Sequence, residues 1–401
     1  MIMKKKEEEE IKFEDYIKIV KLNESIKIII IIINILFIYI TLNKDNCRTK
    51  ILRKSRKFMN ICLEQKLNNS FNKTNKIDNP KISVIIPIYN CQDSIKISIS
   101  SIQNQNISDF EIILVNDFSK DNSLKIIEKL SQQDRRIKII NNNKNMGTLY
   151  SRSIGTLKAK GKYILPLDND DLFMDEDIFD FAFNESEKGN YDILGFHAIR
   201  GPNYKPRISQ MIDDIYHDNP NNLILVQPDL GIHSITKNGK YDINNIHIWG
   251  KCIKTDIYKN AINSLGKTKY SYFVSWAEDT SMVFILFNIA KSYKFISKYG
   301  VFHLMSENTA CYTQSNENKL FGEIFFLDTL FDFSKNDFKT KKYAVLKALE
   351  IKNEDIFTEG FNNTRNQKFF KYVLKKITNS KYITKEDKNI IINNYTFINL
   401  F

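Results

Sequence analysis

Cysteine is scarce in this chain, and its distribution argues against two kinds of site. The five cysteines among 401 residues are Cys47, Cys62, Cys91, Cys252 and Cys311. They form no C-x-x-C pair and follow no regular spacing. Zinc sites and disulfide frameworks depend on such patterns, so the sequence argues against both. The redox compartment stays open.

Several nucleotide-binding and catalytic motifs are also absent. No H-E-x-x-H occurs, and no G-x-G-x-x-G follows a predicted strand. The segment Gly266-Lys267-Thr268 resembles the end of a phosphate-binding loop, but Ala261 stands where that loop needs its first glycine. The sequence therefore argues against zinc-protease, dinucleotide-binding and P-loop chemistry.

The residues that are present can build a large folded protein. Hydrophobic residues make up 42% of the chain and include 28 Phe, which excludes wholesale disorder. The length suits one large domain with appendages, or two domains. The net charge of +12 is uneven, because residues 43–81 hold eleven Lys or Arg against three acids.

That basic stretch follows an apolar run, and together they predict a single-pass membrane protein that binds no nucleic acid. We divide this part into a charged tail (1–25), a transmembrane anchor (26–42) and a basic stem (43–80). The anchor has about 17 residues, enough for a short spanning helix, and the basic residues after it favour lipid headgroups. The positive-inside rule favours a cytosolic C-terminal part, and an endomembrane lumen stays open.

From residue 81 short apolar strands alternate with amphipathic helices. Strands are predicted at Ile82–Ile88, Glu111–Val115, Arg136–Ile140 and Tyr163–Leu167. Helices are predicted at Asp93–Gln103, Asp121–Gln132 and Met146–Lys158. This alternation predicts an α/β fold with a mostly parallel sheet, which binds ligands beyond the carboxyl ends of its strands.

The fourth predicted strand ends in the acidic segment Asp168-Asn169-Asp170-Asp171. Three crowded carboxylates repel one another and lose hydration when buried. A divalent cation would relieve that conflict, since hard oxygen ligands suit Mg²⁺ and Mn²⁺. An acidic turn that caps the next helix is the alternative. Asn90 and Asp117 also follow predicted strands, so we expect them at the same edge of the sheet.

The order of these features resembles that of the family 2 glycosyltransferases, inverting enzymes with a nucleotide-sugar-binding GT-A fold. The resemblance covers residues 81–310 and identifies Asp168 and Asp170 with the family's D-x-D motif, which implies a Mn²⁺ or Mg²⁺ site there. The nucleotide-sugar contacts that it implies are Pro87, Tyr89, Asn90, Asp117, Arg152 and Asp168. The chain departs from the family pattern at Asn116, where an acid is usual, and at Ser153, where Asn is usual.

Two of the implied contacts have structural alternatives. By resemblance Asp117 accepts hydrogen bonds from the base or ribose, and Arg152 counters the diphosphate. Asp117 would serve equally well as the N-cap of the following helix. For Arg152 the alternative is a place on a solvated helix face.

The resemblance continues downstream, where it implies the acceptor side of the site. Trp249-Gly250-Lys251 resembles the W-x-K element of members that build surface polysaccharides; the alternative is a buried Trp beside a surface lysine. Glu278-Asp279 resembles the family's E-D pair, which implies that Asp279 is the general base and Glu278 its neighbour. Ordinary capping chemistry at a helix start is the alternative.

His303 follows a strand-like segment and stands where some GT-A enzymes have a histidine that completes the metal shell. Imidazole is a reasonable Mn²⁺ ligand, so His303 is a third candidate ligand with Asp168 and Asp170. A structural role is the alternative for a lone histidine.

The predicted function is therefore membrane-anchored, metal-dependent transfer from a nucleotide-diphosphate sugar, with UDP-sugars favoured, to a hydroxyl of a glycan or another acceptor. The alternatives are a nucleotidyltransferase acting on a sugar phosphate and a non-catalytic relative that binds a nucleotide sugar. Residues 311–401 are predicted to form a helical extension. The donor sugar, the acceptor and the oligomeric state stay open.

Overall fold

The computed structural model describes residues 50, 53–54, 56–62, 78–203, 212–213, 224–226, 236–237, 240–241, 247–305, 314–334, 338–353 and 356–395. The predicted charged tail (1–25) and membrane anchor (26–42) lie outside these ranges. No helix within the ranges is long and apolar enough to cross a membrane. The account below concerns the compact unit formed by residues 55–401.

Four parallel strands form the first half of the central sheet. They are β1 (Ile82–Ile88), β2 (Phe110–Asn116), β3 (Ile137–Asn141) and β4 (Tyr163–Pro166). The helices between them are α1 (Ile95–Gln103), α2 (Ser123–Gln133) and α3 (Thr148–Lys158). Strands β1 and β2 are buried along their whole length, as their Ile- and Val-rich sequences require of central strands. The predicted βαβ series is confirmed, with element ends shifted by only a few residues.

The second half of the sheet is built from residues 172–304, where, among the described residues, short strands and four helices follow one another without a regular alternation. Its elements are β5 (Leu172–Phe173), α4 (Ile178–Gly189), β6 (Ile193–Gly201), β7 (Ile212–Asp213), β8 (Ile224–Val226), β11 (Lys251–Lys254), α5 (Thr255–Leu265), α6 (Lys267–Tyr270), α7 (Glu278–Ile289) and β12 (Ser292–Leu304). A separate two-stranded sheet pairs β9 (Thr236–Lys237) with β10 (Lys240–Tyr241).

The prediction of a mostly parallel sheet is wrong, because the sheet is mixed. Its main path is β3-β2-β1-β4-β11-β6-β12-β5, with β7 beside β6 and β8 beside β12. Strand β11 runs antiparallel to both of its neighbours, β4 and β6, whereas β12 is parallel to β6. The βαβ rule applies only while helices link successive strands, and that alternation ends at β4.

The C-terminal part is helical and packs on α7. Its helices are α8 (Asn316–Phe333), α9 (Phe338–Asn353), α10 (Ile356–Gly360), α11 (Thr364–Thr378) and α12 (Lys385–Asn394). Phe284 of α7 joins the apolar cluster that these helices bury, and Phe321 and Phe325 of α8 join a cluster under the sheet. Helix α8 packs closely against the segment before α7, because a Cβ added to Gly322 would lie only 2.1 Å from the Trp276 carbonyl oxygen. The boundary predicted near residue 311 stays a prediction.

Candidate functional site

The carboxyl ends of β1, β2 and β4 meet at one edge of the sheet, as expected for parallel strands. Tyr89 and Asn90 follow β1, Asp117 follows β2, and the acidic segment 168–171 follows β4. Tyr89 is 44% exposed, and Asn90 adopts a left-handed conformation with φ of 47°. The edge therefore offers both an exposed aromatic ring and acidic groups to a ligand.

Hydrogen bonds to neighbouring elements hold the acidic turn in place. The carbonyl oxygen of Asn169 accepts from the hydroxyls of Ser94 and Ser98, both at 3.0 Å. The side-chain amide of Asn169 donates to the Pro87 carbonyl oxygen at 3.0 Å. Asn169 therefore anchors the turn to β1 and α1, which leaves the flanking aspartates to other tasks.

Asp170 lies partly buried in an acidic environment. Burial, together with the charges of the neighbouring carboxylates Asp171 and Asp168, raises its pKa to about 8. A cation at this position would favour the ionised form and relieve the conflict.

Arg152 of α3 connects this turn to the start of α7. One guanidinium nitrogen, Nη2, donates to Asp168 at 2.7 Å, and the other, Nη1, donates to Asp279 at 2.5 Å. Glu278 lies 3.6 Å from Nη1. Only 5% of the arginine side chain is exposed, and its Nε atom has no hydrogen-bond partner among the described residues. The alternative of a solvated helix face is therefore wrong, while the predicted contact with a diphosphate stays a prediction.

Helix α7 begins with the predicted acidic pair. Ala277 before it has a φ of 55°, a turn that directs both carboxyl groups toward Arg152. Asp279 accepts from the Ile248 amide at 3.3 Å through the oxygen that Arg152 does not contact. Burial and the Asp279 charge raise the pKa of Glu278 to about 8, and burial also raises the pKa of Asp279. The side chains of Glu278 and Asp279 are 12% and 18% exposed, so a ligand can still reach both carboxyl groups.

His303 near the end of β12 faces the acidic turn. Its Nδ1 atom lies 2.9 Å from Asp171, which is fully buried and also accepts from the Leu304 amide. Burial lowers the pKa of His303, but Asp171 outweighs it and raises that pKa to about 9. An imidazole held as a cation is a hydrogen-bond donor rather than a metal ligand, so the metal role of His303 requires proton loss and stays a prediction.

Trp249 and Lys251 are both buried, which rules out a surface lysine. The Lys251 ammonium donates to the His247 carbonyl oxygen, and its charge opposes the rise that burial causes in the pKa of Asp279. The Trp249 ring stacks on His247 at 4.3 Å and on His303 at 5.2 Å between centroids. Sequence reasoning missed His247, although its H-x-W spacing places it on the same side of the chain as Trp249. The acceptor role of this group stays a prediction.

Asp117 is buried, and protein donors occupy its oxygens. It accepts from the amides of Met146 and Gly147 and from the Asn142 side chain, each at 2.8 Å. It therefore fixes the loop before α3 rather than capping α2, where Asp121 accepts from the Ser123 amide. Contact with a nucleobase stays a prediction.

The residues present fit one way of holding a divalent cation. Within the described ranges, no group of three or more Asp, Glu, His or Cys side chains could hold a metal ion by itself. Mg²⁺ commonly binds through one or two carboxylates, with substrate phosphates and water as the other ligands. Asp168 and Asp170 fit that mode, because they supply two carboxylates from one turn at the end of β4.

Comparison with known proteins agrees with this geometry. Residues 83–228 match the model of Glycosyl transferase family 2, a stretch that includes Asp168 and Asp170 but not Glu278-Asp279. An uncharacterized glycosyltransferase of Haemophilus influenzae is 45% identical over 93 residues, which are 23% of this chain and 29% of that protein. A GalNAc(5)-diNAcBac-PP-undecaprenol beta-1,3-glucosyltransferase of Campylobacter jejuni is 39% identical over 93 residues, 23% of this chain and 30% of that protein. The chain thus spans about a third of these relatives.

The fold likeness extends further than the sequence likeness. The crystal structure of S. aureus TarS 1–349 in complex with UDP-GlcNAc matches with a TM-score of 0.55 at 17% identity, over 79% of this chain and 90% of that one. Such low identity speaks for the fold alone. The family match and the shared architecture agree: residues 83–228 are similar to the family 2 glycosyltransferases, and the chain has a GT-A-like α/β fold.

Proposed function

We propose that the protein transfers a sugar from a nucleotide-diphosphate sugar to an acceptor hydroxyl with inversion at the anomeric carbon. The observation that carries this proposal is the buried Arg152, which holds a carboxylate of the D-x-D segment and a carboxylate of the E-D pair on one guanidinium. A donor-side and an acceptor-side acid are thereby fixed within one small volume, as a single displacement requires.

On the donor side, Asp170 and Asp168 would hold Mn²⁺ or Mg²⁺ together with the diphosphate of the donor. The cation, when bound, neutralises charge on the leaving group. Pro87, Tyr89 and Asn90 lie at the adjacent strand end and would contact the nucleotide. We favour a UDP-sugar, because the structural neighbour TarS was crystallised with UDP-GlcNAc.

On the acceptor side, Asp279 would remove the proton from the attacking hydroxyl. Its contacts with Arg152 and the Ile248 amide orient the carboxylate, and Arg152 and Lys251 oppose the effect of burial on its pKa. The neighbouring Glu278, with a pKa of about 8, would be largely uncharged at neutral pH. Asp279, which contacts the Arg152 guanidinium directly, is therefore the acid that we assign as the base.

Direct displacement needs no enzyme nucleophile, and two described cysteines that adjoin site residues in the sequence are unsuited to be one. Cys91 and Cys252 are buried, and burial raises the pKa of each thiol to about 12. A thiol with such a pKa is almost entirely protonated at neutral pH and is a poor nucleophile.

The test is nucleotide release by the purified full chain across a panel of UDP- and GDP-sugars, with and without Mn²⁺. We expect turnover that requires the metal, and a higher metal concentration for half-maximal rate in Asp170→Asn. Asp256→Asn, which changes an exposed acid in the first turn of α5, is the matched control. Equal turnover without metal would contradict the donor-side proposal, and no turnover with any donor would favour a non-catalytic relative.

Membrane anchoring through residues 26–42 remains part of the proposal, as does a glycan or related acceptor. The Campylobacter relative is named for transfer to an undecaprenol-linked glycan, which makes a membrane-linked acceptor a reasonable expectation here. Protease protection of the C-terminal part in sealed vesicles would report which side of the membrane it occupies.

A further inference from the structure

An apolar groove lies outside the proposed catalytic site, between the segment before α7 and helices α8 and α11. It has a volume of about 600 Å³ and is lined chiefly by Tyr272, Phe273, Phe321 and Phe369. The rings of Phe321 and Phe369 lie 5.2 Å apart, and Tyr272 lies about 6 Å from each. Because the rings pack against one another, the groove has a preformed aromatic surface.

The outer face of α11 beside this groove is strongly basic. Arg365, Lys368, Tyr372 and Lys375 follow one another at intervals of three or four residues and are all exposed, so they form one stripe along the helix. The helix contains no Asp or Glu. Among the described carboxylates, none forms a salt bridge with Lys368, Lys371 or Lys375.

The opposite face of α11 holds the helix in place. Phe370, Val373, Leu374 and Ile377 are buried in the apolar cluster of the C-terminal helices. The helix is therefore a fixed support, and its basic stripe is presented without any rearrangement. Arg365 also packs over the Phe321 ring at 4.0 Å, which brings positive charge to the rim of the groove itself.

We propose that the groove and the basic face of α11 dock the protein onto an anionic phospholipid membrane. Lysine and arginine attract acidic headgroups, and an exposed tyrosine beside an apolar aromatic surface is the composition typical of a membrane interface. Charge complementarity alone would also suit a soluble polyanion, but the aromatic groove beside the basic residues favours a surface with both acidic and apolar parts. This proposal does not depend on the proposed transferase activity.

The test follows the environment of Tyr372 in the full chain. The Tyr372→Trp variant is mixed with vesicles that contain a spin-labelled lipid, either all zwitterionic or about one third anionic. Emission of the parent protein is subtracted. We expect quenching with anionic vesicles at least several times that with zwitterionic vesicles, and loss of the difference in high salt. An apolar anchor elsewhere in the chain would act in both vesicle types, and the basic stem (43–80) is unchanged in every variant, so the charge variants of α11 separate the docking surface from both.

Charge variants complete the test. Adding Lys368→Gln, Lys371→Gln and Lys375→Gln to Tyr372→Trp should abolish the difference between the two vesicle types. Adding Lys96→Gln, Lys125→Gln and Lys129→Gln, which removes the same charge from exposed positions of α1 and α2, should preserve it. The proposal would be overturned by equal quenching in both vesicle types or by an equal effect of the two triple variants. Preferential binding to a soluble polyanion would also overturn it.

Discussion

The two halves of the sheet contribute to the site in different ways. In the donor half, from β1 to β5, polar groups follow the ends of neighbouring parallel strands, and hydrogen bonds from Asn169 to the end of β1 and the start of α1 hold the acidic turn. In the acceptor half, from residue 247 to β12, the acidic pair is positioned by a contact with Arg152, which lies 127 residues away from Asp279 in sequence. Strand ends thus organise the first half, and a buried ion network organises the second.

The largest expected effect is on catalysis and comes from a substitution in the acceptor half. Asp279→Asn removes the carboxylate that we propose as the general base while it keeps the shape of the side chain. We expect kcat to fall by about a thousandfold, within the range for general-base catalysis. The measurement is steady-state nucleotide release at saturating donor and acceptor.

Glu278→Gln is the matched control for that variant. Because burial raises the pKa of Glu278 to about 8, glutamine resembles the form expected at neutral pH. We expect it to keep activity within about tenfold of the parent. The assignment of the base to Asp279 fails if the two variants lose activity equally while both remain folded.

Arg152 links the two halves of the sheet through its contacts with Asp168 and Asp279, and its removal should destabilise the fold. Arg152→Gln leaves Asp168, Glu278 and Asp279 without their shared cation. We expect a loss of roughly 3 kcal/mol in the free energy of unfolding, at the lower end for a broken buried ion pair, because the carboxylates keep 12–31% exposure. Urea unfolding measures the loss.

Arg152→Lys sharpens the same comparison. Lysine keeps the charge but cannot donate to two carboxylates from a planar fork, so we expect about half of the stability loss and a larger loss of activity than of stability. A loss below about 1 kcal/mol in Arg152→Gln would mean that the network is not a structural link.

The smallest expected effect concerns His303, where the acceptor half meets the acidic turn. Its pKa is raised from 6.5 to about 9 by Asp171, which outweighs burial. The stabilisation from this pair is therefore fully present below pH 6.5 and is lost as the pH rises through about 9. We expect His303→Gln to cost on the order of 1 kcal/mol at low pH and progressively less toward pH 9, without divalent metal.

The control for this variant is His197→Gln, since the His197 ring contacts the Ser297 hydroxyl and the rings of Phe295 and Tyr299. Chemical unfolding at several pH values measures the difference between the two variants. A cost that stays constant with pH for His303→Gln would show that the pair with Asp171 is not charged in the folded protein.

Local pattern was sufficient for the donor half. The short Ile- and Val-rich runs predicted β1 to β4, and the helical spacing of Ile95, Ile99 and Ile102 predicted α1, all of which the structure confirms. These elements form from residues that are close in sequence, so their period is visible in the chain. The acidic turn followed from the same pattern.

The acceptor half could not be predicted to the same depth. Strand β11 has four residues and enters the sheet between β4 and β6 in the reverse direction, which no local period encodes. The burial of Lys251 and the stacking of His247 on Trp249 depend on that insertion. The sheet therefore came out mixed where a mostly parallel one was expected.

The sequence by itself determined the βαβ series, the acidic turn after β4 and the chemical types of the groups that the site contains. Only the tertiary structure decided how those groups are paired: Arg152 with Asp168 and Asp279, Asp171 with His303, and Asp117 with the loop before α3. The physical reason is that periodicity records which face of an element is buried. Ion pairs and hydrogen bonds between distant segments depend instead on where the folded chain brings those segments together.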